Sequence, residues 1–171
     1  MKKIVLSALA FTVILASCGN EKPVKQEEVK ITKEEVKIET PEKEEVSEEK
    51  TTLELSSNDQ MKYDKSEMTV KAGQEVTLTL THTGTMAKTV MGHNFVLLKQ
   101  GVEIKDFAMK AMKAKDNDYI PEGDDVIAHT AVIGGGETTS VTFTAPEKGT
   151  YDYICSFPGH FGMMFGKLIV E

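Results

Sequence analysis

The segment YICSFPGHFGMMFGKLIV, residues 153–170, contains two β-patterned runs joined by a loop with chemically distinctive side chains. A thiol, an imidazole and thioethers lie within ten residues of one another in this loop. Pro158 and Gly159 bend the chain sharply, which allows Cys155 and His160 to point at a common centre. The segment therefore predicts the last two strands of a β domain with a candidate ligand loop between them.

Apolar residues alternate with polar ones in several short runs upstream of this segment and at its end. The alternating residues are Leu53 and Leu55, Met68 and Val70, Val76, Leu78 and Leu80, Val141 and Phe143, and Leu168 and Val170. Period-two alternation indicates strands that bury one face, and Gly- and Pro-containing turn signals separate these runs. Residues 105–115 instead place apolar side chains at helical spacing. The pattern predicts a β-sandwich or small barrel with one short inserted helix.

Composition excludes several classes of protein. The chain has 171 residues, with 20 Lys and Arg against 27 Asp and Glu, and a formal net charge of -7. Such an acidic balance argues against nucleic-acid binding, which needs basic residues to neutralise phosphates. Its two cysteines exclude a disulfide-rich scaffold, a four-cysteine zinc site and an iron–sulfur cluster held by four thiolates.

The N-terminus has a positively charged start and an apolar run shorter than the roughly 20 residues of a transmembrane helix. Residues 1–17 fit a secretory signal peptide. Small residues precede Cys18, and this pattern resembles the lipobox of bacterial lipoproteins, whose cysteine is acylated and becomes the mature N-terminus. The alternative is an ordinary cleaved signal with an incidental cysteine. Lipidation of Cys18 would leave Cys155 as the single thiol of the mature chain.

A charged segment follows the signal. Residues 18–50 consist largely of Glu, Lys, Val, Ile and Thr, without an aromatic residue. This composition is typical of a flexible acidic tether. A seven-residue echo within it leaves a short coiled coil as an alternative. The folded domain is expected to span residues 51–171.

The candidate ligands favour copper over zinc. Cys155, His160 and Met164 share the loop, and His93 precedes another apolar strand sixty residues upstream. A Cys and two His with a weak axial Met form the donor set of a blue-copper site, whereas a thioether is a poor zinc ligand. Each residue taken alone could be a core or surface residue, but their combination around one bend favours a metal site.

Across the domain, the sequence resembles azurin, a cupredoxin of bacterial electron transfer. The matching motifs, in azurin order, are Asn58-Asp59-Gln60-Met61, Val90-Met91-Gly92-His93-Asn94, Asp118-Tyr119, Val126-Ile127-Ala128-His129-Thr130, Ile133-Gly134, Glu137 and Ser140-Val141-Thr142-Phe143. The spacing of Cys155, four residues, His160, three residues and Met164 is the azurin spacing, and plastocyanin-like relatives space these ligands differently. The resemblance implies an all-β, cupredoxin-like Greek-key β-sandwich and one copper ion.

The resemblance also implies a role for each matching residue. His93, Cys155 and His160 would be the equatorial ligands, with Met164 and the Gly92 carbonyl as weak axial ones. Asn94 would join the two ligand loops, and the Phe157 amide would donate to the ligand sulfur. His160 would be exposed within an apolar partner patch of Met61, Met91, Phe157, Pro158 and Met163. His82 and His129 match histidines without a ligand role.

The sequence departs from azurins in three places. It has no cysteine for the disulfide that azurins commonly carry near the start of the domain, so tighter packing or a shorter loop around 70–75 must compensate. Phe95 replaces a common tryptophan, and Phe161 and Gly162 change the surface beside His160. The ligand set remains intact.

The sequence therefore predicts a non-enzymatic blue-copper protein that passes single electrons at the bacterial cell envelope, in the periplasm or at the cell surface. Its partners would be redox proteins such as c-type cytochromes or a copper or haem reductase or oxidase, and a lipid anchor would be its contact with a membrane. A copper chaperone or storage lipoprotein is the alternative, and a structural lipoprotein with a vestigial site is a third. A single loop cysteine excludes a binuclear copper domain.

Overall fold

The computed structural model describes residues 50–171, so the predicted signal peptide, most of the tether and the predicted lipidation site at Cys18 lie outside the described residues. The elements in chain order are β1 (Lys50–Asn58), β2 (Lys62–Tyr63), β3 (Glu67–Val70), β4 (Glu75–His82), α1 (Lys88–Met91), β5 (Val96–Leu98), α2 (Ile104–Ala111), a 3-10 turn (Lys115–Asn117), β6 (Val126–His129), β7 (Thr138–Thr144), β8 (Gly149–Ile154) and β9 (Phe165–Val170). No helix among these residues is long and apolar enough to cross a membrane.

The strands form two sheets. One has the order β2-β1-β4-β7 and the other the order β3-β9-β8-β5-β6. Strands β1 and β4 pair in parallel, as do β3 and β9, while the remaining pairs are antiparallel. Several strands that are neighbours in a sheet are therefore distant in sequence, and each sheet contains strands from both the first and the second half of the described residues. This architecture agrees with the all-β expectation.

The alternation seen in the sequence builds the main core. On β4, Val76, Leu78 and Leu80 are fully buried, while the intervening threonines pair side by side with β7 on the outer face. Leu55 from β1 and Leu168 from β9 join the same cluster, so both sheets contribute to it. Full burial of each aliphatic side chain contributes about 1.5–3 kcal/mol. This core fixes the frame from which the loops at one end project.

A second core supports the strands that lead into the candidate ligand loops. Helix α2 packs Phe107 and Ala111 against Val96 and Leu98 of β5 and Ile154 of β8. All three residues of β5 are fully buried, so this strand shows no alternation. Since His93 precedes β5 and Cys155 follows β8, this packing holds two candidate ligands at fixed positions.

The helical segments differ from the expectation in two respects. Helix α2 ends at Ala111 rather than near residue 115, and Ala114, with φ -101° and ψ 38°, has left the helical conformation before the 3-10 turn begins. Directly after that turn Asp118 and Tyr119 have φ angles of 48° and 60°, a left-handed conformation that a right-handed helix cannot contain. The one-turn helix α1, just before the first ligand loop, was not predicted.

The turn between β3 and β4 is held without a disulfide. The Ala72 N–H donates to the Glu171 carbonyl at 2.9 Å, and the Gly73 N–H donates to the Ala145 carbonyl at 3.1 Å. The Ala145 N–H in turn donates to the Gln74 carbonyl at 2.8 Å. These bonds join the turn to the ends of β7 and β9. That such contacts compensate for the missing disulfide stays a prediction.

Candidate metal centre

Three buried side chains converge where the two candidate ligand loops meet. The Nδ1 atoms of His93 and His160 are 3.2 Å apart, and the Cys155 Sγ lies 3.9 Å and 3.6 Å from them. One donor atom from each residue lies within 4.8 Å of the others. Among residues 50–171, this is the one cluster of at least three His, Cys, Asp or Glu side chains with metal-site spacing.

Backbone hydrogen bonds hold both loops. His93 and Ile133 exchange two bonds of 2.9 Å and 2.8 Å across an isolated bridge. In the second loop, the Cys155 N–H donates to the Met164 carbonyl at 2.9 Å, and the Met164 N–H donates to the His160 carbonyl at 2.9 Å. The second loop is thus closed on itself, and its two ends stay side by side.

The tautomer of His93 suits metal binding. Its Nε2 lies 2.9 Å from the Asn58 carbonyl, which can only accept, so Nε2 carries the proton. The Nδ1 atom therefore presents a lone pair to the Cys155 sulfur and to the other imidazole. A thiolate and two imidazole nitrogens aimed at one point are the donors that copper prefers. The residues present fit a copper ion.

Asn94 connects the two loops. Its Oδ1 accepts the Ser156 N–H at 2.9 Å, and its Nδ2 donates to the Ser156 Oγ at 2.8 Å and to the Asp118 carbonyl at 3.1 Å. The Tyr63 hydroxyl donates to the Asn94 carbonyl. Asn94 is fully buried and has no access to replacement water. Its side chain thus fixes the distance between the loop of His93 and the loop of Cys155.

The other predicted site residues lie around this cluster. The Gly92 carbonyl is 3.9 Å from the Cys155 sulfur, and the side chain of Met164 is fully buried directly beyond the loop. The backbone N–H of Phe157 and that of Asn94 both hydrogen-bond the Cys155 sulfur. Two amide donors aimed at one sulfur stabilise its anionic form.

Burial keeps the metal-free cluster uncharged. It raises the pKa of the Cys155 thiol to about 12, although the amides of Asn94 and Phe157 oppose the shift. Burial lowers the pKa of His93 to about 4, partly offset by the bond to Asn58, and lowers the pKa of His160 to about 4 as well. A metal ion must therefore displace the thiol proton, while both imidazoles already have the neutral form that ligands need.

The stability of the metal-free protein is expected to fall as the pH falls from about 6.5 to about 4. Unfolded imidazoles titrate at 6.5 and the folded ones at about 4, so the unfolded chain binds more protons in this window. At about 1.4 kcal/mol per pKa unit, each ring accounts for up to roughly 3 kcal/mol. Urea unfolding of the metal-free chain at about pH 7.5 and about pH 4.5 measures this loss.

The control for this pH effect is a histidine outside the cluster. His160→Gln should reduce the pH dependence, whereas His129→Gln at an exposed position should leave it unchanged. An unfolding midpoint that stays constant between the two pH values would contradict the expectation.

The atoms around Gly92 leave no room for a side chain at this position. A Cβ there would lie 2.6 Å from the Lys88 carbonyl, 2.7 Å from Val132 and 2.8 Å from Phe157. Gly92→Ala is therefore expected to destabilise the protein by about 1–3 kcal/mol, because backbone and packed side chains must move apart. Denaturant unfolding measures the change. Gly162→Ala is the matched control, since nothing lies within 4 Å of its Cβ position, and equal effects of the two would refute the steric explanation.

The exposure predicted for His160 is wrong. Only 4% of the residue is exposed, because its ring lies between the Phe157 ring at 4.8 Å and the His93 ring at 5.0 Å. Met163 is 54% exposed, and the other predicted patch residues, Met61, Met91, Phe157 and Pro158, are partly exposed. The imidazole is therefore not an exposed member of the predicted patch, whereas the other predicted members reach solvent.

Two further histidines have separate positions. His82 stacks on His93 with ring centroids 4.4 Å apart. Its Nδ1 accepts the Gly84 N–H at 3.0 Å and its Nε2 lies 3.0 Å from the Met91 carbonyl, so neither nitrogen is available for a metal. His129 is exposed on β6.

Sequence reasoning missed several groups that support the site. The Asn58 carbonyl fixes the His93 tautomer, and the Tyr63 hydroxyl bonds the Asn94 carbonyl. The Thr130 hydroxyl accepts the Phe95 N–H at 3.0 Å at the start of β5. Asn58 and Thr130 lie within motifs quoted above, but nothing in the sequence pattern distinguishes Tyr63.

A two-sheet β fold with a buried His–Cys–His cluster between loops defines a cupredoxin, the class of blue-copper proteins. The family model of copper-binding proteins, plastocyanin/azurin family, matches residues 49–171. The chain belongs to this family, and its cofactor is copper. The predicted resemblance to azurin and the predicted cupredoxin fold are confirmed.

Individual relatives agree with this assignment. The chain is 47% identical over 123 residues to Azurin-1 of Alcaligenes xylosoxydans xylosoxydans, covering 68% of this chain and 95% of the relative. It is 43% identical over 127 residues to azurin of Pseudomonas chlororaphis, covering 70% and 97%. Among solved structures it is similar to auracyanin A, a "blue" copper protein from Chloroflexus aurantiacus, with 37% identity, a TM-score of 0.66 and coverage of 72% and 100%. An azurin (Az-iso2) from Methylomonas sp. strain J has 41% identity, a TM-score of 0.64 and coverage of 71% and 98%.

Proposed function

We propose that this chain is a blue-copper electron-transfer protein that cycles between Cu(II) and Cu(I) and passes single electrons between redox partners. The observation that carries this proposal is the convergence of the His93, Cys155 and His160 donor atoms in a buried site. Met164 and the Gly92 carbonyl are proposed as the weak axial ligands. Copper, when bound, supplies a one-electron couple.

The residues of the chain prepare the site for this couple. Cys155 provides the thiolate, and the amides of Asn94 and Phe157 stabilise its negative charge. Because Asn94 joins the two ligand loops through two side-chain hydrogen bonds to Ser156 and is itself held by a third to the Asp118 carbonyl, the donors keep their positions when the charge at the centre changes. A site that does not rearrange lowers the reorganisation that electron transfer requires. No substrate position remains if Met164 occupies the axial side, so we propose no enzymatic activity.

A copper titration of the full chain tests the proposal. Cu(II) should give an intense visible thiolate-to-copper band that saturates at one equivalent, together with a reversible one-electron couple. A colourless complex, or binding without a reversible couple, would refute electron transfer as the function.

A copper chaperone or storage protein is the second candidate. Such a protein needs accessible donors, whereas the cluster is buried and residues 18–50 contain neither His nor Met. A chelator challenge separates the two functions. The electron carrier should release its copper slowly and hold one ion, while rapid transfer or more than one bound ion would favour the chaperone or storage function.

We propose that Met61, Met91, Pro158 and Met163 form the docking patch for redox proteins such as c-type cytochromes or a copper or haem reductase or oxidase. Met163→Glu introduces a charge at its most exposed residue and should slow electron exchange with a c-type cytochrome several-fold, with an unchanged visible spectrum. Stopped-flow kinetics measure the rate, and Met109→Glu at an exposed position of α2 is the control. Equal rates for all three proteins would place the docking surface elsewhere.

The proposed location is the bacterial cell envelope. An acyl group on Cys18 would anchor the chain, residues 18–50 would form the tether, and residues 51–171 would face the periplasm or the cell surface. Stable anchoring takes two or more acyl chains. Mass spectrometry of protein extracted from membranes should find acyl groups on Cys18. A soluble form with an unmodified cysteine would refute the anchor.

A further inference from the structure

A surface cavity lies directly beside the metal centre but outside it. Its volume is about 190 Å³, below the roughly 300–1,000 Å³ of drug-sized sites. Two lysines, a threonine, an aspartate, two aromatic rings and a valine line it: Lys88, Thr89, Lys115, Asp118, Tyr119, Val132 and Phe157. Its size suits a ligand with a single ring.

The cavity has an excess of positive charge. The Lys88 Nζ lies 3.5 Å from the Asp118 carboxylate, so this pair contributes little net charge. Lys115 makes no ion pair within the described part of the chain. One unneutralised ammonium at the rim would attract one negative charge.

The remaining wall is flat and apolar. The rings of Tyr119 and Phe157 meet edge to face with centroids 5.2 Å apart. Val132 continues this wall, and its Cγ1 lies close behind Gly92. An aromatic wall receives another aromatic ring in an offset or edge arrangement. The cavity therefore combines a surface for one ring with a cation for one carboxylate.

The wall of the cavity also belongs to the metal centre. The backbone N–H of Phe157 bonds the Cys155 sulfur, and its ring lies 4.8 Å from the His160 ring. Gly92, whose carbonyl faces the sulfur, packs against both Val132 and Phe157. A ligand that packs against Phe157 thus contacts a residue whose backbone N–H bonds the Cys155 sulfur.

We infer that this cavity binds a small aromatic monocarboxylate, with the carboxylate at Lys115 and the ring against Tyr119 and Phe157. A bound anion favours the more positively charged Cu(II) form. Binding of the carboxylate therefore lowers the midpoint potential of the copper, by an amount that is set by the ratio of the ligand's affinities for the Cu(II) and Cu(I) forms. This second statement rests on the proposed electron-transfer function, whereas binding itself does not require copper.

The test is an NMR titration of the metal-free full chain with sodium benzoate at low ionic strength, where screening is weak. Saturable shifts should appear at the amides of Lys88, Thr89, Tyr119 and Phe157. Lys115→Gln should weaken binding about tenfold, while Lys148→Gln, at an exposed turn residue outside the cavity lining, should not. Benzyl alcohol and acetate at the same concentrations should each bind more weakly than benzoate.

Each other outcome overturns the inference. Equal binding of benzyl alcohol removes the role of the carboxylate, and equal binding of acetate removes the role of the ring. Absence of saturable shifts removes the site. An unchanged benzoate affinity in Lys115→Gln would show that Lys115 does not bind the carboxylate.

In the copper-loaded chain, benzoate should lower the midpoint potential in the wild type but less in Lys115→Gln. An unchanged potential with benzoate bound refutes the coupling, while a chain without a copper couple refutes the proposed function and leaves the metal-free titration informative.

Discussion

Replacement of Cys155 by Ser is expected to abolish the intense visible band of the copper-loaded protein completely. The band requires a thiolate bound to copper, and a serine hydroxyl supplies neither the soft donor nor the covalent bond. Copper affinity should fall by more than the roughly 10–100-fold that follows loss of a group supporting a ligand. The reversible one-electron couple should disappear with the colour.

The fold should survive this substitution. Cys155 is fully buried, and Ser differs from it by one atom and is slightly smaller, so the surrounding packing can be kept. The metal-free variant should therefore unfold cooperatively, within about 1–2 kcal/mol of the wild type. Absorption spectra, copper binding and denaturant unfolding of the same preparations separate a lost ligand from a lost fold.

The chain provides a matched control because it has two cysteines. Cys18→Ser should leave the band, the affinity and the couple unchanged, since residue 18 lies before the copper-binding family match, which begins at residue 49. A blue Cys155→Ser protein, or a colourless Cys18→Ser protein, would show that Cys155 is not the thiolate that binds copper.

The alternating strands could be predicted because their two faces differ in polarity. Leu78 and Leu80 face the core while the threonines between them face solvent, and this contrast is visible in the sequence. In β5 both faces are covered, one by the main core and the other by α2, so burial leaves no periodic signal. Its identification as a strand depends on its apolar run and on the ligand motif before it.

The candidate ligands could be predicted because few residue types bind a soft metal, and their spacing is local within each loop. The supporting groups could not, because most are backbone atoms or distant hydroxyls. The His93 tautomer is fixed by the backbone carbonyl of Asn58. Every residue has such a carbonyl, so the residue type does not reveal this acceptor. The burial of the His160 side chain also depends on the Phe157 ring that packs against it. The spacing of the ligands in the sequence does not reveal this contact.

Replacement of Asn94 by Ala is expected to destabilise the metal-free protein by about 3–5 kcal/mol. Three hydrogen bonds of 2.8–3.1 Å disappear, and the Ser156 N–H and Oγ and the Asp118 carbonyl lose a partner. The Ser156 groups are buried, and a buried polar group without a partner costs about 1–3 kcal/mol. The side-chain connection between the loop of His93 and the loop of Cys155 is also lost, so the donors should spread and the visible band should weaken and broaden.

Gln100→Ala is the matched control, because its exposed amide makes one long bond of 3.4 Å to the Thr150 carbonyl. It should change the free energy of unfolding by less than about 0.5 kcal/mol and leave the spectrum intact. Urea unfolding and copper spectra of both variants give the comparison. If Asn94→Ala unfolds like the wild type and keeps a sharp band, the loops are held by other contacts. A loss of stability with an unchanged band would show that Asn94 supports the fold and not the geometry of the donors, which would assign that geometry to the bonds within each loop.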